Sequence, residues 1–313
     1  MLDMPSTASG SLNKAAVLAK LSYFARCQLW PLANDADPTG WLCNFQDDEL
    51  PHAVHLLNAV LMFRNPLMDQ LFRSSFQALS HMHITHPVNH REWSACWRKF
   101  CDTVLITLVT GESPHSADSS HAFARRARDL LRIPEDRILP PEECLRRLLN
   151  NGPQPVVFVD DFVGSGNQFI TTWHRSYQVG GKQSSSFASL SNLRPGPFFY
   201  IPLICTWLGE EAIRTSCPAV QLRPAHLLNE RYSLLHPESL LWPEHLRASA
   251  QNFLRSSSLR AGIPDSPGST EHYEGFASLG LSIAFEEKAP DATVPLLWWS
   301  KSSDWQPLFR RGE

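Results

Sequence analysis

The chain has 313 residues, enough to bury a sizeable core as one elaborated domain or as two. A formal charge of −3 excludes a global basic field of the kind that draws nucleic acid to a whole surface, and leaves only a local basic patch open. Seven cysteines are scattered without a C-x-x-C pair, an odd count that argues against a disulfide framework and for reduced, mostly buried thiols in a cytosol.

Residues 1–12 show no basic-then-apolar leader pattern, and no apolar run approaches the roughly 20 residues that cross a bilayer. The expectation is a cytoplasmic protein with no membrane partner. From Leu12 to about Phe100 the spacing is helical, with Ala15, Leu18, Leu21 and Phe24 on one stripe and Val54, Leu57, Val60 and Leu61 on another. Turn residues from Asn34 to Gly40 separate two helices, and Asp47, Asp48 and Glu49 ahead of Pro51 read as an acidic first turn. His81, His83, His86 and His90 could supply metal ligands, but with no cysteine or H-E-x-x-H frame beside them a polar helix end and turn fits them better. Residues 1–100 thus form a helical N-terminal region.

Residues 101–230 alternate as an α/β domain does. Val104–Val109 is a strand, Ala122–Leu131 a helix and Arg137–Leu139 a short strand. The next helix is marked at both ends: Pro140 and Pro141 open it, Glu142 and Glu143 fill its first turn, Arg146 and Arg147 its last, and Asn150-Asn151-Gly152 closes it. Phe198–Ile204 reads as a strand despite Pro202, followed by a helix over Glu210–Thr215 and by Val220–Leu222. Such alternation implies a parallel sheet whose ligand sits beyond the carboxyl ends of the strands.

Within this domain, Val156-Val157-Phe158-Val159 is a buried strand, followed directly by Asp160-Asp161 and by the small-residue loop Gly164-Ser165-Gly166. A helix starting near Asn167 would aim its first amides and its dipole at an anion, so the loop suits a phosphate. Carboxylates beside a phosphate cradle suit the vicinal hydroxyls of a ribose, or a magnesium ion held through water. A P-loop would need G-x-x-x-x-G-K-[ST], and the nearest fragment, Gly180-Gly181-Lys182, follows the strand and lacks the first glycine. A dinucleotide fingerprint would need glycine where Phe169 stands. The remaining alternative is an ordinary turn with two solvated aspartates, which the demanding order of strand, acid pair and glycine loop disfavours.

The segment from Val156 to Gln168 resembles the signature of type I phosphoribosyltransferases. The resemblance implies an α/β fold with a parallel-sheet type I phosphoribosyltransferase-like core. It assigns Asp160 and Asp161 to the ribose hydroxyls as the catalytic acids, with magnesium as cofactor. It assigns Val163, Gly164, Ser165, Gly166, Asn167 and Gln168 to the 5-phosphate loop. Gln168 departs from the Thr or Ser usual there, exchanging a hydroxyl for an amide donor. The loop after the first strand, with Gly111, Ser113, His115 and Ser116, looks like the family's pyrophosphate loop, but it carries Glu112 and Asp118 and no Lys or Arg. Arg125, Arg126 and Arg128 just downstream are the cations that could bend back. A Ser–His hydrolase site on Ser116 with His115 or His121 lacks any G-x-S-x-G frame; Ser116 reads better as a helix cap.

Residues 231–313 form a C-terminal extension expected to pack on the core. Ser256–Thr270 reads as a loop, Leu279–Phe285 as strand-like, and Val294–Trp299 with Trp305–Arg310 as packed aromatic surface. From about Trp41 to Arg311 the chain resembles a narrower group, the phosphoribosyltransferase-like proteins of bacterial conflict systems, including retron antiviral loci. That resemblance implies a toxic effector enzyme acting on a nucleotide or PRPP beside a reverse transcriptase and its RNA-linked DNA. The other readings are a non-catalytic nucleotide sensor with the same fold and a base-salvage enzyme.

Overall fold

The computed structural model describes residues 12–31, 35–84, 89–110, 120–180, 183–286 and 288–309. It begins with α1 (Lys14–Arg26), α2 (Pro38–Leu42), α3 (Leu50–Ala59), β1 (Leu61–Phe63), α4 (Asn65–His83) and α5 (His90–Thr103). The α/β elements follow: β2 (Leu105–Leu108), α6 (Ser120–Leu131), β3 (Ile138–Leu139), α7 (Pro141–Asn151), β4 (Val156–Val163), α8 (Asn167–His174), β5 (Tyr177–Gly180), β6 (Gln183–Ser185), α9 (Phe187–Leu193), β7 (Phe198–Thr206), α10 (Trp207–Ser216), β8 (Val220–Leu222) and β9 (His226–Leu228). The chain ends with α11 (Glu244–Arg247), α12 (Ala250–Arg260) and β10 (Ile283–Phe285).

Two compact units emerge, one of Pro66–Leu228 and one of the described residues up to Asn65 together with those from Asn229 onward. This division departs from the three-part reading of the sequence. Nearly all of α4 and the whole of α5 belong with the sheet, because Phe100 packs edge-on against Phe199 of β7 with ring centroids 5.8 Å apart. Residues beyond Asn229 share a core with the first helices rather than standing as an extension of their own.

The α/β unit is built on a parallel sheet in the order β3-β2-β4-β7-β8, with β9 alongside the far end of β7. Every residue of β2 and of β7 is buried, as expected of strands covered on both faces. One face carries Phe158, Phe169, Trp173, Phe187, Phe198 and Tyr200 in a single cluster. Pro202 is tolerated inside a central strand because it falls between the stretch paired with β8 (Phe198–Tyr200) and the stretch paired with β9 (Ile204–Thr206). There the outer ladder is already interrupted, and the Pro202 carbonyl accepts the Ala225 N–H at 3.1 Å.

In the other unit Trp41 is fully buried and donates its indole N–H to the Leu296 carbonyl at 2.9 Å. Trp298, Trp299, Trp305 and Phe309 lie in the same cluster, and β1 pairs in parallel with β10. Residues 256–260, read as loop from their serines, are the last turns of α12. The small side chains of Ser257 and Ser258 form its buried side, and Ser257 and Arg260 both donate to Glu49. The strand-like stretch over 279–285 shortens to β10. Among the described residues no helix is long and apolar enough to cross a membrane. All seven cysteines are unbridged; Cys144, Cys205 and Cys217 are buried, Cys101 is half-buried, and Cys27, Cys43 and Cys96 are exposed, more than the sequence led us to expect.

Candidate functional site

Strand order locates the site before any side chain is considered. The chain leaves β2 for its neighbour β3 on one side and returns across it to β4 on the other, so β2 and β4 flank the point where the strand order reverses. At such a point the loops diverge and leave a crevice beyond the strand ends. Those loops are the one that begins at Thr110, after β2, and Gly164-Ser165-Gly166, after β4. Gly111, Ser113, His115 and Ser116 of the first loop lie outside the described residues.

The acid pair lies within β4 rather than past its end. Apolar patterning stops at Val159, yet pairing to the long β7 continues through Asp160↔Pro202, Phe162↔Ile204 and Val163↔Cys205. Val156 and Phe158 share a core cluster with Val163, and Phe198 and Tyr200 share it with Cys205, although the numbering in each strand has changed parity.

Asp160 and Asp161 are only 5% and 6% exposed, so neither is a solvated turn residue. The Asp160 carboxylate is held from two sides. Its Oδ1 accepts the Asp161 N–H at 2.9 Å, and its Oδ2 accepts the Tyr200 hydroxyl at 3.0 Å. Burial, and after it the charge of Asp160, hold the Tyr200 phenol well above its ordinary value, so it stays a donor. The Tyr200 ring stacks on Phe169 of α8 at 4.0 Å and 8°.

The glycine loop turns at Gly166, whose φ of +83° would strain any residue with a side chain. Gly166 is also the N-cap of α8, which has no side-chain cap, so the first amides of the helix are not occupied in that way. The Asn167 N–H lies 3.5 Å from Ser165 Oγ. The loop is clamped from behind by α10: a Cβ on Gly209 would stand 2.6 Å from the Gly164 carbonyl oxygen and 2.6 Å from Val163 Cγ1. Thr206, fully buried, donates its hydroxyl to the Gly164 carbonyl at 2.5 Å and accepts the Gly209 N–H at 3.1 Å. One side chain thus caps α10 and ties it to the loop.

A second clamp holds the root of the other loop. The buried Thr172 hydroxyl donates to the Thr110 carbonyl at 2.9 Å and receives the Thr110 N–H at 3.1 Å, while Arg175 Nη1 donates to Thr110 Oγ1 at 3.0 Å. Arg175 therefore brings a cation to a segment that reads as cation-poor. Nothing in the sequence of the loop signals it, because it sits 65 residues downstream of Thr110. Of the arginines suspected of this role, Arg126 pairs with Asp69 and Arg128 with Asp129, both at 2.8 Å, and Arg125 is exposed.

His81, His83 and His90 do not converge as ligands; His86 lies outside the described residues. His90 stacks on Trp93 at 6.0 Å and 15°, His81 lies 6.2 Å from the same ring, and His83 lies 4.8 Å from Phe100. Among the described residues no group of three His, Cys, Asp or Glu side chains could hold a metal. Asp160 and Asp161 offer hard oxygen donors, the donor type that magnesium takes.

The parallel sheet, the reversal of its strand order between β2 and β4, and the acid–glycine loop entering a helix define a phosphoribosyltransferase-like protein. A family model agrees: the chain belongs to the PRTase-CE family, whose model matches residues 38–311. No match to the curated proteins was found.

Proposed function

We propose that this protein binds the ribose 5-phosphate part of PRPP or of a nucleotide at the end of β4, and acts on the bond at ribose C1 as an effector enzyme in bacterial antiviral defence. The observation that carries the binding reading is the start of α8 directly behind the αL residue Gly166, an N-cap with no side chain of its own, with two buried acids on the preceding strand. In this reading the amides of residues 164–168 hold the phosphate, and Asp160 and Asp161 fix the sugar. Magnesium, when bound with PRPP, would offset the charge of the pyrophosphate that leaves C1; with a nucleotide the leaving group is the base. The chain's own contribution is positioning: Thr206 ties down the glycine loop and Thr172 holds Thr110, so the sugar is held while C1 gains oxocarbenium character.

The defence role, with a reverse transcriptase and its RNA-linked DNA as partners, rests on the resemblance to conflict-system proteins. A non-catalytic nucleotide sensor would use the same cradle. Asp160→Asn with Asp161→Asn separates the two: an enzyme loses turnover far more than ligand affinity, while a sensor loses affinity and recovers its output at saturating ligand. Full turnover of PRPP or nucleotide by the double variant would overturn the catalytic reading.

A further inference from the structure

We infer that Tyr200 is a positioning residue for the sugar, setting the Asp160 carboxylate for the ribose hydroxyls without itself touching the ligand; this rests on the ribose 5-phosphate reading above. Tyr200 is fully buried in the middle of β7, so it has no route to a ligand of its own. A phenol in that position needs a hydrogen-bond acceptor, and it is aimed at Asp160 Oδ2 at 3.0 Å. Its ring lies flat on Phe169 at 4.0 Å. Phe169 belongs to the first turn of α8, so one side chain couples the acid to the helix that opens the phosphate cradle.

A carboxylate has about four acceptor sites. The Tyr200 hydroxyl and the Asp161 N–H take one on each oxygen, which fixes both the rotation and the depth of the group. An unpinned carboxylate on a strand could turn about χ1 and χ2, and would lose the geometry that separates a sugar from a bare anion. The tyrosine thus carries selectivity for the sugar, while the loop amides carry the phosphate. Titratable groups around Asp160 include Asp161 on its own strand and Tyr200 and Cys205 on β7, and burial followed by the charge of Glu210 keeps the Cys205 thiol protonated.

The experiment is calorimetric titration of full-length wild type and Tyr200→Phe with ribose 5-phosphate and with inorganic phosphate. Phe keeps the stack on Phe169 and removes only the donor. The expected result is a loss of about tenfold in affinity for ribose 5-phosphate, the scale of one hydrogen bond to a charged group, with affinity for inorganic phosphate unchanged. In the Asp160→Asn background the same substitution should have little further effect on sugar affinity. Equal sugar affinity in a folded Tyr200→Phe protein overturns the inference, and so does a parallel loss of both ligands, which would make Tyr200 merely structural. If wild type binds neither ligand, the ribose-phosphate reading itself fails. Should Tyr200→Phe not fold, wild type labelled at tyrosine Cζ decides the matter by NMR. The Tyr200 resonance should move with ribose 5-phosphate and stay still with inorganic phosphate, and an unmoved or equally moved signal overturns the proposal.

Discussion

At the scale of single residues, the start of α8 makes opposite demands on stability and on binding, and this can be tested at Gln168. The residue is exposed and second in the helix, so Gln168→Glu places a negative charge where the dipole favours it. The variant should gain about 0.3–1 kcal/mol in a chemical melt while losing affinity for ribose 5-phosphate on the order of tenfold, because the same charge repels the phosphate. Unaltered affinity would place the phosphate elsewhere. Gly166 is a poor probe, since a β-branched side chain there meets both a φ of +83° and the Gly209 carbonyl 3.1 Å from its Cβ. Gly209→Ala acts from outside the loop and at an ordinary φ: its Cβ would press the Gly164 carbonyl at 2.6 Å, so the loop must shift, at a cost of about 1–3 kcal/mol by denaturant unfolding and with weaker phosphate binding. The acids and the glycines were legible in the sequence because their chemistry is local. Tyr200, Thr206 and Arg175 were not, because each acts across a strand pairing or a helix crossing that no single segment encodes.

At the scale of elements, apolar runs and end signals identified β2, β7, α7 and the starts of β4 and α8 close to their observed bounds, since each combines strong patterning with a clear signal. Two kinds of element escaped. The carboxyl half of β4 is polar at Asp160 and Asp161 and is a strand only because β7 pairs with it there. The last turns of α12 look like a serine-rich loop and are helical because Ser257 and Arg260 reach Glu49. Burial alone would raise the Glu49 carboxyl, but hydrogen bonds from Arg260, the Gln46 N–H and Ser257 outweigh it and hold the group below its ordinary value. A further prediction belongs to α10. Thr206→Val keeps the volume and removes the hydroxyl, so it should cost about 1 kcal/mol for the lost cap in a urea titration and also loosen the loop, lowering affinity for ribose 5-phosphate. A stability loss with unchanged affinity would show that the cap and the loop are independent.

At the scale of the molecule, acid should bear on the unit that holds α1 to α3 and α12. Burial, with the charge of His245, holds His52 below its ordinary 6.5 against the hydrogen bond to the Leu246 carbonyl, which acts the other way, and burial with the charges of His245 and His52 lowers His55. Depressed histidines bind protons more readily when unfolded, so their stability is complete above about 6.5 and is lost as pH falls through the folded values. Calorimetric melts should therefore show a lower transition at about pH 5.5 than at about pH 7.5, and His55→Gln should narrow that gap. An equal gap in the variant would remove His55 from the explanation. Deleting residues 1–100 would strip α4 and α5 from Phe199 and remove the partners of Trp298 and Trp299, so the remainder should be insoluble; a soluble fragment with a cooperative melt would contradict the core assignments. The most direct measurement is a crystal structure with ribose 5-phosphate bound. The expected result is the phosphate on the amides between Gly164 and Gln168 with the sugar hydroxyls at Asp160 or Asp161. A sugar phosphate seated away from the end of β4, or turned so that its hydroxyls face the glycine loop, would contradict the site.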